Sequence, residues 1–229
     1  MLARQADAVA LPCDPTGVTR IGHWIGGDLV RGIPSAVAEV RNPETGLVTG
    51  QVSLATREET AQAVQAAADA FPAWRETALS RRTQVVFAFR ELLNARKHEL
   101  AAIITAEHGK VLSEALGEVS RGQELDAYSI RQPVGPVAVI SPVRLPYMVP
   151  MGFVPVAIAS GNTVVLKPSE QAPSGSLWIA ELWREAGLPD GVFNVIQGDE
   201  VAVHELLTNP AIKAVSFVGS TPAAHQRND

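Results

Sequence analysis

Short apolar runs rich in valine and isoleucine recur through the second half of the chain, and longer mixed segments separate them. Such runs are typical of buried strands, and the segments between them favour helices. The predicted strands are residues 134–140, 163–166, 192–196 and 214–218, and the predicted helices are residues 146–159, 173–186 and 201–207. Strands and helices that alternate with short, right-handed connections predict an α/β fold whose parallel sheet is covered on both faces.

A β-hairpin is predicted near the start of the chain. Gly26 and Gly27 separate two short apolar runs within residues 21–30. Glycine accepts the positive φ that a tight two-residue turn requires. An extended pattern resumes at residues 47–54, after a turn-forming cluster.

Helices are predicted between the hairpin and the parallel sheet. Thr56 and Glu59 have the spacing of a capping box, which predicts a helix running to about Trp74, with Pro72 stopping or bending its end. Further helices are predicted at residues 80–94, 99–108 and 111–124, and Gly109 predicts the end of the second of these. We expect this N-terminal region to pack around the sheet.

The most apolar stretch of the chain could be misread as a membrane span. Residues 145–166 carry no charge and are long enough to cross a bilayer. Pro146, Pro150, Pro155 and Asn162 argue against one continuous helix, because proline is tolerated only in a first turn. A helix followed by a separate strand explains the stretch better, so no membrane partner is predicted.

Composition excludes several other classes of function. The net charge is −5 and no basic run is present, so a nucleic-acid partner is not predicted. Cys13 is the only cysteine, which excludes an intrachain disulfide and a cysteine-based zinc cluster. His-Glu pairs at 98–99 and 204–205 lack the second histidine of a zinc protease. No metal site is predicted.

The first residues carry no targeting signal. Residues 1–18 have neither an arginine-rich amphipathic pattern nor an apolar core of signal length. We expect a disordered leader and a cytoplasmic protein. Cys13 is then an incidental thiol.

Polar residues follow two of the predicted strands. Lys167 and Glu170 come directly after the strand at 163–166, and Gly219 and Ser220 come after the strand at 214–218. The carboxyl ends of parallel strands are where open sheets bind ligands. An amine and a carboxylate could bind a ribose diol, and backbone N–H groups could bind a phosphate. A solvated ion pair at a turn is an equally open interpretation, since the usual glycine fingerprint of a nucleotide site is absent.

Several blocks of sequence, in register, resemble the aldehyde dehydrogenase superfamily, and most closely its coenzyme A-acylating methylmalonate-semialdehyde branch. They are RNPETG at 41–46, AFPAW at 70–74, EHGK at 107–110, RGQE at 121–124, SIRQPVGPVAVISP at 129–142, GNTVVLKPSE at 161–170, EAGLPDGVFNVIQGD at 185–199 and SFVGSTP at 216–222. The resemblance implies a variant Rossmann domain, a catalytic domain and an oligomerisation arm that forms homo-oligomers. It also implies oxidation of a semialdehyde with NAD and coenzyme A to acyl-CoA, NADH and CO2 through a cysteine thioester, as in valine catabolism.

The resemblance also implies roles for individual residues of a cofactor site. Lys167 and Glu170 match the contacts to the adenosine ribose of NAD, and Gln171 lies at a neighbouring NAD position. Gly219 and Ser220 match the pyrophosphate contact at a helix start. Two further residues, Ser141 and Val143, match the loop that passes the nicotinamide side.

The sequence also departs from this family. The family's catalytic cysteine lies well downstream of SFVGSTP, and Cys13 stands at the opposite end of the chain, so no catalytic residue is predicted. Arg144 stands where the family has an asparagine that donates to the developing oxyanion. Part of the oligomerisation arm is missing between Glu124 and Ser129, and the ending after Pro222 loses the family's apolar helix.

Because of these departures, the leading hypothesis is that the chain has a truncated aldehyde dehydrogenase fold. Its predicted divisions are a leader at 1–18, an N-terminal hairpin-and-helix part of the NAD-binding and oligomerisation region at 19–128, and a partial Rossmann-like NAD-binding domain at 129–229. On this hypothesis the catalytic domain is absent, so we expect no activity from the chain alone. The alternative is a non-catalytic NAD-binding or assembly module that pairs with a full-length homologue.

Overall fold

Five strands, then three helices, then alternating strands and helices follow one another in the computed structural model, which describes residues 18–33, 36–123 and 133–218. The strands are β1 (Thr19–Ile21), β2 (His23–Ile25), β3 (Asp28–Val30), β4 (Val37–Arg41), β5 (Val48–Ser53), β6 (Pro136–Ile140), β7 (Thr163–Lys167), β8 (Phe193–Val195) and β9 (Ala214–Phe217). The helices are α1 (Arg57–Glu76), α2 (Leu79–His108), α3 (Leu112–Gln123), α4 (Met148–Ala159), α5 (Ser174–Glu185) and α6 (Glu200–Thr208). Cys13, nearly all of the predicted leader and the segment predicted to be shortened lie outside the described residues.

The larger sheet has the strand order β3-β2-β8-β7-β6-β9. Strands β6, β7, β8 and β9 are parallel, as the apolar runs predicted, and β6 and β7 are buried at every position. Strands that are buried on both faces read as continuous apolar runs rather than alternating ones. The α/β fold class is therefore confirmed.

The predicted N-terminal hairpin is also confirmed, and it extends this sheet. Gly26 and Gly27 have φ values of 61° and 91°, which place both turn residues in the left-handed region. Strand β2 pairs antiparallel with β8 through Trp24 and Val195. The N–H of Gly26 donates to the buried Asn194 side chain over 2.9 Å, so the turn is attached to the sheet.

The helices differ from prediction mainly in their length. The capping box at the start of α1 is present, with Thr56 accepting from the N–H of Glu59 and Glu59 accepting from the N–H of Thr56. Helix α1 continues past Pro72 to Glu76. The two helices predicted at 80–94 and 99–108 are one 30-residue helix, α2, which ends at Gly109 with φ 78°. The prediction of a break was wrong because residues 95–98 contain no helix breaker.

The smaller sheet was only partly predicted. It has the order β1-β5-β4, with β1 parallel and β4 antiparallel to β5. The extended segment at 47–54 became β5, whereas β1 and β4 gave no clear signal in the sequence. Both are short, and β4 alternates between exposed and partly buried positions along most of its length.

The core lies between the larger sheet and the helices. The Trp74 indole N–H donates to the Ile158 carbonyl over 3.0 Å, which links α1 to α4. Phe89 and Trp183 stack with ring centroids 3.7 Å apart, which links α2 to α5. Within the described residues, no helix combines the length and the apolar character needed to cross a membrane.

Candidate functional site

The carboxyl ends of β6 and β7 lie side by side. Ile140 pairs with Lys167 in the parallel register, and the N–H of Ser141 donates to the Lys167 carbonyl over 3.0 Å. Residues that follow these strands therefore share one edge of the sheet, as the sequence predicted. This edge is the region of an open α/β sheet where ligands bind.

Lys167 and Glu170 form the polar pair at this edge. The Lys167 Nζ atom lies 3.2 Å from Glu170 Oε2, and the Lys167 side chain is 7% exposed whereas that of Glu170 is 37% exposed. Lys167 is therefore not a solvated lysine at a turn, which was the alternative left open by the sequence. A buried ammonium donor next to a more exposed carboxylate acceptor suits a ligand with adjacent hydroxyl groups.

The other described candidates lie in the loops that follow β6 and β7. Ser141 is buried, and its hydroxyl donates to the Pro146 carbonyl over 3.4 Å. Val143 is half-buried in the loop after β6. Gln171 is exposed, and its N–H donates to the Ser169 hydroxyl over 3.3 Å.

The predicted phosphate contacts, Gly219 and Ser220, lie outside the described residues. Strand β9 leads toward the same edge, because Phe217 pairs with Ile140 and the N–H of Val218 lies 3.4 Å from the Ile140 carbonyl. The role of Gly219 and Ser220 remains a prediction from the sequence.

Arg144 lies in the loop between β6 and α4, and its side chain is exposed. Its backbone carbonyl accepts a hydrogen bond of 2.7 Å from Lys110 Nζ. The residue is thus held by its main chain, while its guanidinium stays in solvent.

Sequence reasoning assigned no role to Glu107, which begins the EHGK block. Its two carboxylate oxygens lie 3.3 and 3.2 Å from the N–H of Ser174, the first residue of α5, which follows the Lys167–Gln171 loop. Burial raises the pKa of Glu107 to about 7, although the hydrogen bonds from Ser174 act in the opposite direction. Burial also raises the pKa of the neighbouring Tyr147, which is enclosed completely.

In the part of the chain that the structure describes, no group of three or more histidine, cysteine, aspartate or glutamate side chains could hold a metal ion.

Comparison with known proteins identifies the family. The sequence profile of the aldehyde dehydrogenase family matches residues 32–125 and 123–226. This chain belongs to the aldehyde dehydrogenase family. The two matched ranges meet at residues 123–125, beside the segment where the sequence predicts that part of the family's arm is missing.

The similar proteins include semialdehyde dehydrogenases. A malonate-semialdehyde dehydrogenase of Pseudomonas aeruginosa is 44% identical over 225 residues, which cover 88% of this chain and 45% of that protein. The crystal structure of a methylmalonate-semialdehyde dehydrogenase from Oceanimonas doudoroffii has a TM-score of 0.86 at 43% identity, covering 92% of this chain and 48% of that one. A Sinorhizobium meliloti 1021 protein assigned to the same enzyme class, complexed with NAD, has a TM-score of 0.86 at 40% identity, with coverage of 92% and 48%. The chain thus spans about half the length of these relatives.

Proposed function

We propose that this chain carries the NAD-binding part of a coenzyme A-acylating malonate- or methylmalonate-semialdehyde dehydrogenase. The observation that carries the proposal is the buried Lys167 beside Glu170 at the carboxyl end of β7. A lysine is rarely buried unless it is paired or binds a ligand. The similarity to semialdehyde dehydrogenases, one of them complexed with NAD, supports this assignment.

The residues at this edge fit a dinucleotide. The Lys167 ammonium would donate to a hydroxyl of the adenosine ribose, and the Glu170 carboxylate would accept from the neighbouring hydroxyl. Gln171 would lie next to this ribose, and Gly219 with Ser220 would donate to the pyrophosphate. When bound, NAD supplies the acceptor for the hydride of the aldehyde.

Binding of NAD and NADP tests the proposal. The Glu170 carboxylate would repel a phosphate at the ribose 2′ position. In saturation-transfer difference NMR, the protein should therefore transfer saturation to NAD but not to NADP. We expect weak, about millimolar binding, because ordering the loops offsets most of the contacts of a partial site. In the Glu170→Gln variant the preference for NAD over NADP should decrease. Equal binding of both dinucleotides by the unmodified chain, or no binding of either, would contradict the proposal.

The 229-residue polypeptide is proposed to be inactive by itself. Acyl transfer in this branch requires a cysteine thioester, and the only cysteine is Cys13, near the N-terminus. Purified chain with malonate semialdehyde, NAD and coenzyme A should produce no NADH above the rate without protein. The Pseudomonas aeruginosa relative serves as the positive control. Turnover that disappears in a Cys13→Ser variant would overturn this part of the proposal.

An assembly module is the second candidate function. Strand β9 pairs only with β6 among the described strands, so within the described residues its other edge carries no strand. A full-length relative could supply a strand there. Co-purification with such a relative after co-expression would support the assembly role, and separate elution of the two proteins would argue against it.

A further inference from the structure

An ion pair between a buried glutamate and a lysine whose side chain is 17% exposed contacts the loop that connects β6 to α4, residues 141–147. Glu118 of α3 is 1% exposed, and its Oε2 atom lies 2.6 Å from Lys110 Nζ. Lys110 Nζ also donates to the Arg144 carbonyl in the middle of the loop over 2.7 Å. The pair therefore joins the end of the EHGK block to this loop.

The second carboxylate oxygen of Glu118 contacts the end of the same loop. Its Oε1 atom accepts from the N–H groups of Tyr147 and Met148 over 3.1 and 3.2 Å, at the start of α4. A carboxylate at this place satisfies helix N–H groups that have no partner within the helix and interacts favourably with the helix dipole. Both oxygens of one buried side chain are thus used to hold one loop.

We infer that Lys110 and Glu118 are positioning residues that hold loop 141–147 in the conformation that contacts the nicotinamide side of NAD. The inference rests on the proposed function, because Ser141 and Val143 belong to this loop. The Lys110–Glu118 and Lys167–Glu170 ion pairs share no residue, and under the proposed function they serve different halves of the dinucleotide.

The physical argument for a positioning role is that burial of an ion pair is a poor way to gain stability. A well-packed apolar pair of similar size is often as stable or more so, because desolvation offsets the attraction between the charges. An apolar pair could not accept from two N–H groups and donate to a carbonyl. The charged side chains are therefore explained by the hydrogen bonds that hold the loop, and not by the stability of the core.

Saturation-transfer NMR with NAD gives separate signals for the nicotinamide protons and the adenine protons, so contacts of the two halves of the ligand are measured independently. The ratio of the nicotinamide signal to the adenine signal should fall in Glu118→Gln and in Lys110→Met. Losing one hydrogen bond to a charged group lowers the equilibrium constant for the ordered loop about tenfold or more. Glu118→Gln keeps the size of the side chain but leaves only one oxygen to accept. Glu114→Gln, on the exposed side of the same helix, should leave the ratio unchanged.

The adenine signal shows whether each variant still folds. Both signals falling together, or an unchanged ratio in both variants, would overturn the inference while leaving the proposed function intact. An unmodified chain that gives no adenine signal would overturn the proposed function, and the inference with it.

A double variant separates positioning from stability. Lys110→Met alone leaves the Glu118 carboxylate buried and unpaired, and adding Glu118→Gln removes that charge. We expect the double variant to regain melting temperature relative to Lys110→Met, while the nicotinamide-to-adenine ratio stays low. Recovery of the ratio together with the melting temperature would show a purely structural role and overturn the inference.

Discussion

Protonation of Glu107 gives a quantitative test of how the start of α5 is held. Burial raises the pKa of this carboxyl from its ordinary value of 4.5 to about 7. The folded protein then holds a proton that the unfolded chain releases, so this group's contribution to stability is complete below pH 4.5. The contribution is lost as the pH rises through about 7. The difference between the two pKa values corresponds to about 3 kcal/mol in the free energy of unfolding.

Urea unfolding followed by tryptophan fluorescence measures this contribution. We expect the free energy of unfolding of the unmodified chain to fall by about 3 kcal/mol, relative to a Glu107→Gln variant, between about pH 4 and pH 8. The glutamine keeps the volume and can still accept from Ser174, but it does not titrate. Glu91→Gln, exposed on the same helix, controls for general charge effects. Parallel pH profiles for the unmodified chain and Glu107→Gln would refute the reasoning.

Two further predictions concern local structure and use the same unfolding assay. Thr56→Ala should lower the free energy of unfolding by about 1 kcal/mol, because the N–H of Glu59 loses its acceptor at the start of α1. An unchanged value would contradict the capping role. Gly27→Ala should cost about 2 kcal/mol or more, since φ is 91° and the added Cβ would lie 2.2 Å from Asp190 Oδ1. Gly46→Ala, at φ 71° with open space around it, should cost only about 1 kcal/mol, and equal losses at the two glycines would argue against the contact with Asp190.

The elements that the sequence predicted well are those whose signals are local. The apolar run that became β7 is buried on both faces, and the Gly26-Gly27 turn requires positive φ at both residues. The break expected within α2 had no such signal. The helix continues through residues 95–98 because all four residues are compatible with a helix.

The candidate site was predictable where a polar residue directly follows a strand. Lys167 was found in this way, although its burial was not foreseen. The contacts of Glu107 with Ser174 and of Glu118 with Tyr147 join residues far apart in the chain. One sequence shows no pattern for such pairs, because they depend on how α2 and α3 pack against the strand ends.

The most direct test of whether the end of β7 binds the adenosine ribose of NAD is the binding of ADP-ribose. The unmodified chain is compared with the Lys167→Met variant. ADP-ribose lacks the nicotinamide, so the result does not depend on loop 141–147. The matched control is Lys97→Met, which removes a different lysine, on α2. The account predicts saturable binding by the unmodified chain and by Lys97→Met, with a dissociation constant about tenfold higher for Lys167→Met. Absence of binding by the unmodified chain, or equal binding by Lys167→Met, would contradict it.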